Sequence, residues 1–299
     1  TDTPALRVTA EPRYGSALEW VRATQPCKVP PPGPPDVLMP SNNTIPRIAR
    51  RKEIRKIWRL LKQAARQGRI PVSFVHGGPG AGKTFTAYHL MKKSDEDLAE
   101  LAEKDPELYA FTQTTQFLAI SFNNTTPVQE GRESQWMAAY DPAAPEQKRN
   151  IFMPVTARLL YQFVNNERSS FPKFCDELEA AITRNKINPS MLDLPEVIAA
   201  ILPDRKEPQV LIVDELSKLD KDDDLNLAEK MRSALCATMN ENFLLLFTSL
   251  SDEVMKKEYT ASHRAVEAVA LSALPEKACA RLFYEQLEHK KLIDSNHGQ

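Results

Sequence analysis

Residues 76–84, with the sequence HGGPGAGKT, place four glycines, one lysine and one threonine close together. Glycine lacks a Cβ, so successive backbone N–H groups in such a stretch can turn to one side and surround an anion. A helix that starts at the lysine adds the favourable field of its N-terminus. The ammonium group of Lys83 supplies a positive charge, and the hydroxyl of Thr84 is an oxygen ligand suited to Mg²⁺. These residue types at this spacing predict a site for a nucleoside polyphosphate.

The glycine cluster lies in the sequence context that such a site requires. The spacing Gly77-x-x-x-x-Gly82-Lys83-Thr84 matches the phosphate-loop, or Walker A, pattern in full. The preceding segment 70–77 (IPVSFVHG) is a short apolar, β-branched run typical of a buried parallel strand. A strand, a glycine loop and a helix in this order favour phosphate binding over a plain glycine turn. We expect nucleotide contacts from Gly77, Gly78, Pro79, Gly80, Ala81, Gly82, Lys83, Thr84 and Phe85.

A pair of carboxylates follows a second apolar run, in the segment 207–219 (EPQVLIVDELSKL). The run Val210–Val213 predicts a buried strand that ends at Asp214 and Glu215. Two carboxylates at the exit of a buried strand are unfavourable unless a cation compensates them. We therefore expect Asp214 to bind Mg²⁺, directly or through water, and Glu215 to orient and deprotonate the attacking water. An acidic turn without a function is the alternative.

Three further apolar runs, at 116–124, 242–251 and 266–271, predict three more strands. Helical segments lie between the strands, and one more helix is predicted from about Pro275 through Leu287. We therefore expect an α/β fold, a doubly wound parallel sheet of the P-loop NTPase class. The predicted strand order is 5-1-4-3-2, and the nucleotide is expected at the carboxyl ends of the strands.

The fourth predicted strand ends in hydroxyl side chains. In P-loop ATPases with an additional strand between the Walker A and Walker B strands, that strand ends in a polar sensor near the γ-phosphate. Position favours Thr248 as a catalytic sensor, with Ser249 as the alternative, and an ordinary strand terminus as the competing interpretation. The segment 185–188 (NKIN) lacks the aspartate of a guanine-reading motif, which favours ATP over GTP. The segment 45–54 lies where related ATPases place the loop that covers adenine.

The amino-terminal region differs in composition from the rest of the chain. Residues 1–46 include the proline-rich stretch 29–40 and lack a sustained helical or strand period, so we expect an irregular, extended arm there. The P-loop NTPase domain is then expected over 47–299. Residues 47–69 contain ten lysines and arginines but only one acidic residue, Glu53, with apolar residues at helical spacing. This predicts an amphipathic helix whose basic face is solvated or contacts a nucleic acid or an acidic partner.

Overall composition restricts the remaining function classes. The 39 basic and 40 acidic residues nearly cancel, so any nucleic-acid surface must be local. The four cysteines are far apart in sequence, which argues against a disulfide framework or a zinc site and favours a reducing, intracellular setting. The compartment (nucleus, cytoplasm or an organelle) stays open. No apolar run approaches the roughly 18 residues of a membrane span, and the first residues lack a signal-peptide pattern.

Several segments resemble the ATPase module of the Crinkler and retrotransposon-hot-spot proteins of oomycetes, fungi and kinetoplastids. They are FLAISFNNTTP, LIVDELSKL, LLLFTSLS and YTASHRAVEAVALSALP, and the resemblance covers roughly residues 45–290. Its more diagnostic part is the strand end Thr248-Ser249-Leu250 with the later Ser262-His263-Arg264, although His263 stands where family members often have glycine. The resemblance implies that Arg264 is a catalytic charge sensor for the γ-phosphate. Arg158 is a second basic candidate, and a surface salt bridge is the alternative for each.

Together these features predict a module that binds ATP with Mg²⁺, hydrolyses it to ADP and controls an interaction with a protein partner or larger assembly. A scaffold subunit that holds nucleotide without turnover is the alternative. A small-molecule kinase would need a lid with arginines, and no clear lid is found. The segment 125–150 is compatible with either a lid or an ordinary loop. The ubiquitin-like head and the nuclease-like or kinase-like tail common in Crinkler proteins are not found, so DNA cleavage is not expected. Partner, oligomeric state and a role for a neighbouring subunit's arginine stay open.

Overall fold

The structure is a computed structural model of the chain. Its described residues are 13–27, 50–66, 71–93, 95–123, 125–137, 150–165, 167–202, 206–221, 226–249 and 265–273. The chain divides into two compact units. We call Pro32–Glu130 with Asp204–Gln299 the sheet unit, and Thr1–Pro31 with Gly131–Pro203 the helical unit.

The sheet unit contains five parallel strands in the spatial order β2-β3-β4-β1-β5. This is the predicted order 5-1-4-3-2, read from the opposite edge, so the predicted α/β P-loop NTPase fold is confirmed. The strands are β1 (Val72–His76), β2 (Gln116–Ser121), β3 (Gln209–Asp214), β4 (Phe243–Ser249) and β5 (Val266–Ala270).

The strands in the middle of the sheet are buried on both faces. Every residue of β3 is buried, and its run Val210–Val213 is at most 1 % exposed. Phe74 of β1 and Phe247 of β4 stack on neighbouring strands with ring centroids 5.4 Å apart. A strand buried on both faces has a continuous apolar sequence, because helices cover both sides of a parallel sheet. This is why the apolar runs predicted these strands.

The helices of the sheet unit alternate with its strands. The amphipathic helix predicted near the amino end is present, and its apolar residues, among them Ile54, Ile57 and Leu61, are buried. Trp58 of the same helix lies edge-on against Phe117 of β2, with ring centroids 5.1 Å apart. The helices are α2 (Arg51–Ala64), α3 (Lys83–Lys92), α4 (Asp95–Lys104), α5 (Pro106–Thr114) and α10 (Leu227–Thr238), with a 3-10 helix at Leu216–Lys221.

The basic face of α2 meets acidic side chains of α4 and α5 in the same chain. The ion pairs of α2 are Arg55–Glu100, Lys62–Glu107 at 2.9 Å, and Arg59–Asp105 at 3.9 Å, where Asp105 caps the start of α5. Arg66, which follows α2, also pairs with Glu107, at 3.4 Å. The hydrogen bond from Arg55 lowers the pKa of Glu100 to about 2. Much of the positive charge of this segment is therefore matched within the molecule, whereas the predicted contact with a nucleic acid or an acidic partner stays a prediction.

The helical unit comprises an amino-terminal helix and a segment that the chain inserts between β2 and β3. Trp20 of the first helix is buried and lies 5.9 Å from the ring of Phe174. Cys27 and Val164 form an isolated antiparallel bridge nearby. The elements are α1 (Ala17–Thr24), α6 (Arg132–Met137), α7 (Met153–Tyr161), α8 (Phe171–Thr183) and α9 (Leu194–Ile201), with a 3-10 helix at Pro189–Leu192.

The predicted extended arm over 1–46 is wrong for the residues of α1. Ser16 caps this helix by accepting a hydrogen bond from the backbone N–H of Glu19. Leu18, Trp20 and Val21 then bury one face, but eight residues are too few for a periodic pattern to stand out. The proline-rich stretch 29–40, and the boundary predicted between residues 46 and 47, lie outside the described residues.

Two other sequence predictions concern segments that are described only in part. Within 125–150, Arg132–Met137 form α6, whereas 138–149 are not described, so the choice between a lid and a loop stays open. The helix predicted from Pro275 through Leu287 lies outside the described residues. None of the described helices is long and apolar enough to cross a membrane. Within the described part, Cys27, Cys175 and Cys236 form no disulfide.

Candidate functional site

The glycine loop joins the end of β1 to the start of α3, as predicted. Gly80 and Gly82 have φ values of +73° and +82°, a left-handed conformation that glycine adopts without a steric penalty. Gly77 is required for space, since a Cβ there would lie 2.7 Å from the carbonyl oxygen of Leu271 and 3.0 Å from the Cβ of Ala81. Gly78 has open space around it. The loop therefore closes against the main chain that follows β5, and its other side is uncrowded.

Lys83 is the first residue of α3 and is only 8 % exposed. Its Nζ donates hydrogen bonds to the backbone oxygens of Gly77 at 2.8 Å and of Gly78 at 3.1 Å. Burial lowers the pKa of Lys83, and the charges of Asp214 and Glu215 act in the opposite direction. The ammonium group thus lies over the glycine loop and is held there by carbonyl groups that a phosphate could replace.

Asp214, the last residue of β3, is 1 % exposed and is surrounded by hydroxyl groups. Thr248 Oγ1 donates to Oδ1 at 2.6 Å, and Ser121 Oγ donates to Oδ2 at 3.1 Å. Thr84 Oγ1 lies 3.2 Å from each carboxylate oxygen. Burial raises the pKa of Asp214, whereas these hydrogen bonds act to lower it. The two residues predicted to hold magnesium, Thr84 and Asp214, are thus brought into direct contact.

Thr248 links the two acidic residues at the end of β3. Its hydroxyl donates to Asp214 and accepts a hydrogen bond from the backbone N–H of Glu215 at 3.2 Å. A hydroxyl has a single proton, and here that proton is used by Asp214. In this structure Thr248 therefore orients the carboxylate and the following peptide. Its predicted role as a γ-phosphate sensor stays a prediction, as does the alternative Ser249, which is the last residue of β4.

Glu215 turns the chain away from the sheet. Its φ of +54° is left-handed, a conformation that costs a residue with a side chain roughly 1–2 kcal/mol. The carboxylate lies 3.0 Å from Nζ of Lys218, and both side chains are partly exposed, at 30 % and 40 %. The predicted general base therefore directly follows Asp214, and its side chain is partly exposed, although Oε2, the oxygen that faces Lys218, is buried.

Ser121 is a site residue that the sequence analysis missed. It ends β2, pairs in register with Asp214 across the parallel ladder, and is fully buried. Its only sequence signal is a small hydroxyl residue at the carboxyl end of a predicted strand, where the nucleotide is expected. The predicted strand order already placed strand 2 beside strand 3, but only the register of β2 on β3 shows that Ser121 lies opposite Asp214.

Two predicted arginines have different outcomes. Arg264 lies outside the described residues, together with Ser262 and His263, so its sensor role stays a prediction. Arg158 lies in the helical unit and is fully buried. Its guanidinium donates to Glu133 Oε1 at 2.8 Å and to the backbone oxygen of Pro154 at 2.8 Å. The surface salt bridge considered for Arg158 is therefore wrong, because the pair is buried, and this ion pair accounts for its charge.

The residues at the loop fit a magnesium–nucleotide complex. The donor set contains only oxygen, namely the Thr84 hydroxyl and the Asp214 carboxylate, from elements 130 residues apart in sequence. Among the described residues, no group of three or more His, Cys, Asp or Glu side chains could hold a metal by itself. Magnesium is usually bound by one or two carboxylates together with phosphates and water, so a small donor set is what this ion requires.

Comparisons with known proteins show similarity in fold only. No protein-family model matches the chain, and no curated protein matches it. The Aeropyrum pernix ORC1 protein in complex with DNA is 14 % identical, with 85 % of this chain and 53 % of that chain covered and a TM-score of 0.40. The Walker-type ATPase of Pyrococcus abyssi is 13 % identical, with 82 % and 59 % covered and a TM-score of 0.41. Drosophila ORC bound to DNA is 16 % identical, with 90 % and 51 % covered and a TM-score of 0.34.

The chain spans little more than half the length of each of these structures. Identities and TM-scores this low do not indicate a ligand, a partner or an activity for this chain.

Proposed function

We propose that this chain binds ATP with Mg²⁺, hydrolyses it, and uses the nucleotide state to control an interaction with another macromolecule. One observation carries the proposal. Asp214, at the exit of a buried strand, lies 3.2 Å from the hydroxyl of Thr84 in the first turn after the glycine loop. An anion-binding loop and a buried carboxylate at this separation form the two halves of a metal–phosphate site.

The glycine loop and Lys83 bind the phosphates in this proposal. The Nζ of Lys83 leaves the carbonyls of Gly77 and Gly78 for phosphate oxygens, which are better acceptors because they are charged. The Thr84 hydroxyl and Asp214 would hold a bound Mg²⁺, directly or through water, and the ion would supply neutralisation of the phosphate charge. The hydroxyl proton of Thr84, which here points toward Asp214, leaves its oxygen lone pairs available for such a metal ion. Ser121 and Thr248 keep that carboxylate oriented, since each donates to a different oxygen.

Glu215 is the proposed general base. Its carboxylate orients a water for in-line attack on the γ-phosphate and accepts the proton of that water. The hydrogen bond from its backbone N–H to Thr248 holds the left-handed turn that separates its side chain from that of Asp214. For this role the carboxylate must exchange Lys218 for water. Partly exposed ion pairs of this kind contribute only about 0–1 kcal/mol, so the exchange is inexpensive.

Binding and hydrolysis are tested separately with three forms of the chain. Wild-type protein should bind ATP in the presence of Mg²⁺ and release phosphate. Lys83→Ala should lose most of the ATP affinity, whereas Glu215→Gln should keep it and lose phosphate release by about 100-fold or more. Calorimetry measures the first property and a phosphate assay the second. Lys83→Ala with normal ATP affinity would contradict the proposed site.

A nucleotide-holding scaffold is the second candidate, and the contact between Glu215 and Lys218 favours it. A base that is held by a neighbouring cation is less available to water. Wild-type protein that retains bound ATP yet releases no phosphate would establish this alternative. Lys218→Gln tests this contact: in a hydrolysing chain it should raise phosphate release by no more than about five-fold, because the ion pair contributes about 0–1 kcal/mol, and in a scaffold it should produce no release.

We also propose kinship with the Crinkler and retrotransposon-hot-spot ATPase modules, on the motif residues Thr248-Ser249-Leu250 and Ser262-His263-Arg264. In this proposal Arg264 contacts the γ-phosphate. The partner is a protein or larger assembly, and the compartment is intracellular. Arg264→Ala should then reduce phosphate release while ADP affinity is retained. Equal phosphate release by this variant and wild type would remove Arg264 from the site.

Nucleic acid stays a possible partner through residues 47–69, although the acidic neighbours of α2 reduce its free positive charge. Phosphate release measured with and without DNA or RNA tests this partner. A rate that neither polymer changes would argue against it.

A further inference from the structure

Arg50 is a buried arginine that the proposed function does not use. It immediately precedes α2 and is 2 % exposed. One terminal nitrogen, Nη2, donates to the backbone oxygen of Ala81 at 2.8 Å and to that of Ser272 at 2.7 Å. The other, Nη1, donates to Glu53 Oε1 at 3.2 Å. A buried guanidinium is unfavourable unless its N–H groups are paired, and here they are paired with two carbonyls and a carboxylate.

The bond to Ala81 determines the orientation of a peptide inside the phosphate loop. The carbonyl of Ala81 and the N–H of Gly82 belong to one planar trans peptide and point in opposite directions. Because Arg50 binds that carbonyl, the N–H of Gly82 faces away from Arg50. Gly82 has a φ of +82°, and glycine tolerates both signs of φ, so its own conformation does not prevent this peptide from rotating. The contact from Arg50 supplies the missing restraint.

The bond to Ser272 extends this restraint to the exit of β5. Directly before Ser272, the backbone N–H of Leu271 donates to the oxygen of His76 at 2.8 Å. The oxygen of Leu271 occupies the space next to Gly77 that a Cβ would need. The segment after β5 thus touches the start of the loop, and Arg50 joins that segment to Ala81 near the end of the loop. Three segments that are distant in sequence meet at one side chain.

We propose that Arg50 is a positioning residue of the phosphate loop, which keeps the amide of Gly82 directed toward the bound phosphate. The proposal rests on the proposed nucleotide binding by this loop. It differs from the sequence-based prediction that the segment 45–54 covers adenine, because the contact seen for Arg50 is with the loop. Arg50 therefore acts on the phosphate part of the nucleotide and leaves recognition of the base unchanged.

The experiment compares ATP with tripolyphosphate, which has the phosphates but no base. Calorimetry measures both affinities in excess Mg²⁺ for the full chain as wild type, Arg50→Met and Lys52→Gln. Methionine keeps much of the length of the side chain and removes every donor. Lys52 is an exposed residue in the first turn of α2, so its variant is a control for the loss of one positive charge.

Arg50→Met should lower the affinity for ATP and for tripolyphosphate by the same factor, about ten-fold or more, because the loop loses a charged hydrogen-bond donor. Lys52→Gln should stay within about two-fold of wild type for both ligands, because its charge is exposed and screened. A loss of affinity for ATP alone would mean that Arg50 acts on the base. Unchanged affinities together with a lower melting temperature would mean that Arg50 has only a structural role. Either result overturns the proposal.

A second variant covers the case in which Arg50→Met does not fold. Arg50→Lys keeps the charge on a shorter group without the planar fork. It should lower the affinity for both ligands by one common factor, smaller than that of Arg50→Met. Unchanged affinities would overturn the proposal. Wild-type protein that binds neither ligand would instead refute nucleotide binding itself, and this inference with it.

Discussion

Asp214 in the sheet unit and Arg158 in the helical unit are both almost completely buried, but their surroundings differ in kind. Arg158 has a carboxylate partner, Glu133, at 2.8 Å, and its guanidinium lies 5.0 Å from the ring centre of Phe171. The hydrogen bonds that Asp214 accepts from described side chains come from the hydroxyls of Ser121, Thr84 and Thr248. The charge of Arg158 is neutralised by a carboxylate in direct contact, whereas the described side chains that contact Asp214 directly are hydroxyls, and the charge of Lys83 acts on it without an ion pair.

This difference explains why one site is structural and the other is suited to bind a ligand. A buried ion pair with satisfied hydrogen bonds has little affinity for anything else, and removing one partner leaves an uncompensated charge. A carboxylate held by hydroxyls stays partly uncompensated, so burial raises the pKa of Asp214. A cation that reaches Asp214 relieves this cost and gains a preoriented oxygen ligand. The comparison can be tested by removing a charge, a hydroxyl or a surface partner.

The largest effect is expected from Arg158→Met. The variant leaves Glu133 buried at 1 % exposure without its cation, so the free energy of unfolding should fall by about 3–5 kcal/mol. Urea denaturation measures this loss. Arg168→Met is a matched control, because Arg168 is exposed in the same unit. Adding Glu133→Leu to Arg158→Met should recover most of the loss, and a double variant as unstable as the single one would show that charge is not the cause.

A smaller effect is expected from Thr248→Val, which removes the hydroxyl and keeps the shape. Loss of two buried hydrogen bonds should lower the free energy of unfolding by about 1–3 kcal/mol. Phosphate release should fall more than ATP affinity, since Asp214 and Glu215 both lose their orientation. Thr112→Val, at a fully buried threonine of α5, provides the control and should destabilise without a specific loss of phosphate release. Equal losses of phosphate release in both variants would contradict an orienting role.

A pH-dependent effect is expected from Asp214→Asn. Burial raises the pKa of Asp214 above the ordinary value of 3.8, so the folded state binds its proton more tightly than the unfolded state. The free energy of unfolding of the wild type should therefore fall as pH rises from about 3.8 through the raised folded pKa. Asp214→Asn has no titrating carboxyl group at this position, so its free energy of unfolding should not show this pH-dependent fall. Its stability relative to wild type should increase from about pH 4 to pH 8, as measured by urea denaturation without Mg²⁺.

The control for the pH experiment is Asp176→Asn, because the side chain of Asp176 is 64 % exposed. It should not reproduce the increase. A wild type whose stability relative to Asp214→Asn is the same at both pH values would show that the buried carboxylate is already compensated, as Glu133 is.

The smallest effect is expected from Arg59→Gln on the outer face of α2. Arg59 lies 3.9 Å from Asp105, and its side chain is 64 % exposed, so water and salt screen the pair. The free energy of unfolding should change by no more than about 0.5 kcal/mol. A loss comparable with that of Arg158→Met would mean that burial does not separate the two classes of ion pair.

Much of the sheet unit could be predicted because its signals are local. The run Val210–Val213 is apolar because both faces of β3 are covered, and Asp214 follows at the end where a parallel sheet binds ligands. The glycine loop is recognisable because Gly80 and Gly82 adopt positive φ values within the loop itself and because the Walker A spacing is contiguous in sequence. Each of these signals is contained within a few residues of sequence.

Other features could not be predicted, because they depend on which distant segments meet. Ser121 and Asp214 are 93 residues apart, and although strands 2 and 3 were predicted to pair, only the register of that pairing brings the two side chains into contact. Arg50 and Ser272 are 222 residues apart, so the sequence contains no sign that one side chain joins the loop to the exit of β5. Arg158 was treated as a surface cation because nothing near it in sequence indicates Glu133 as a buried partner.

The sequence by itself determined the five strands and the chemistry of the glycine loop, because strand periodicity and glycine conformation depend on adjacent residues. The strand order then followed from the fold class that these motifs indicate. Only the tertiary structure decided which charges are neutralised internally. Arg158 and the basic face of α2 received carboxylates from other elements, whereas Asp214 received hydroxyls. The reason is physical: the free energy of a charge depends on its burial and on its neighbours in space.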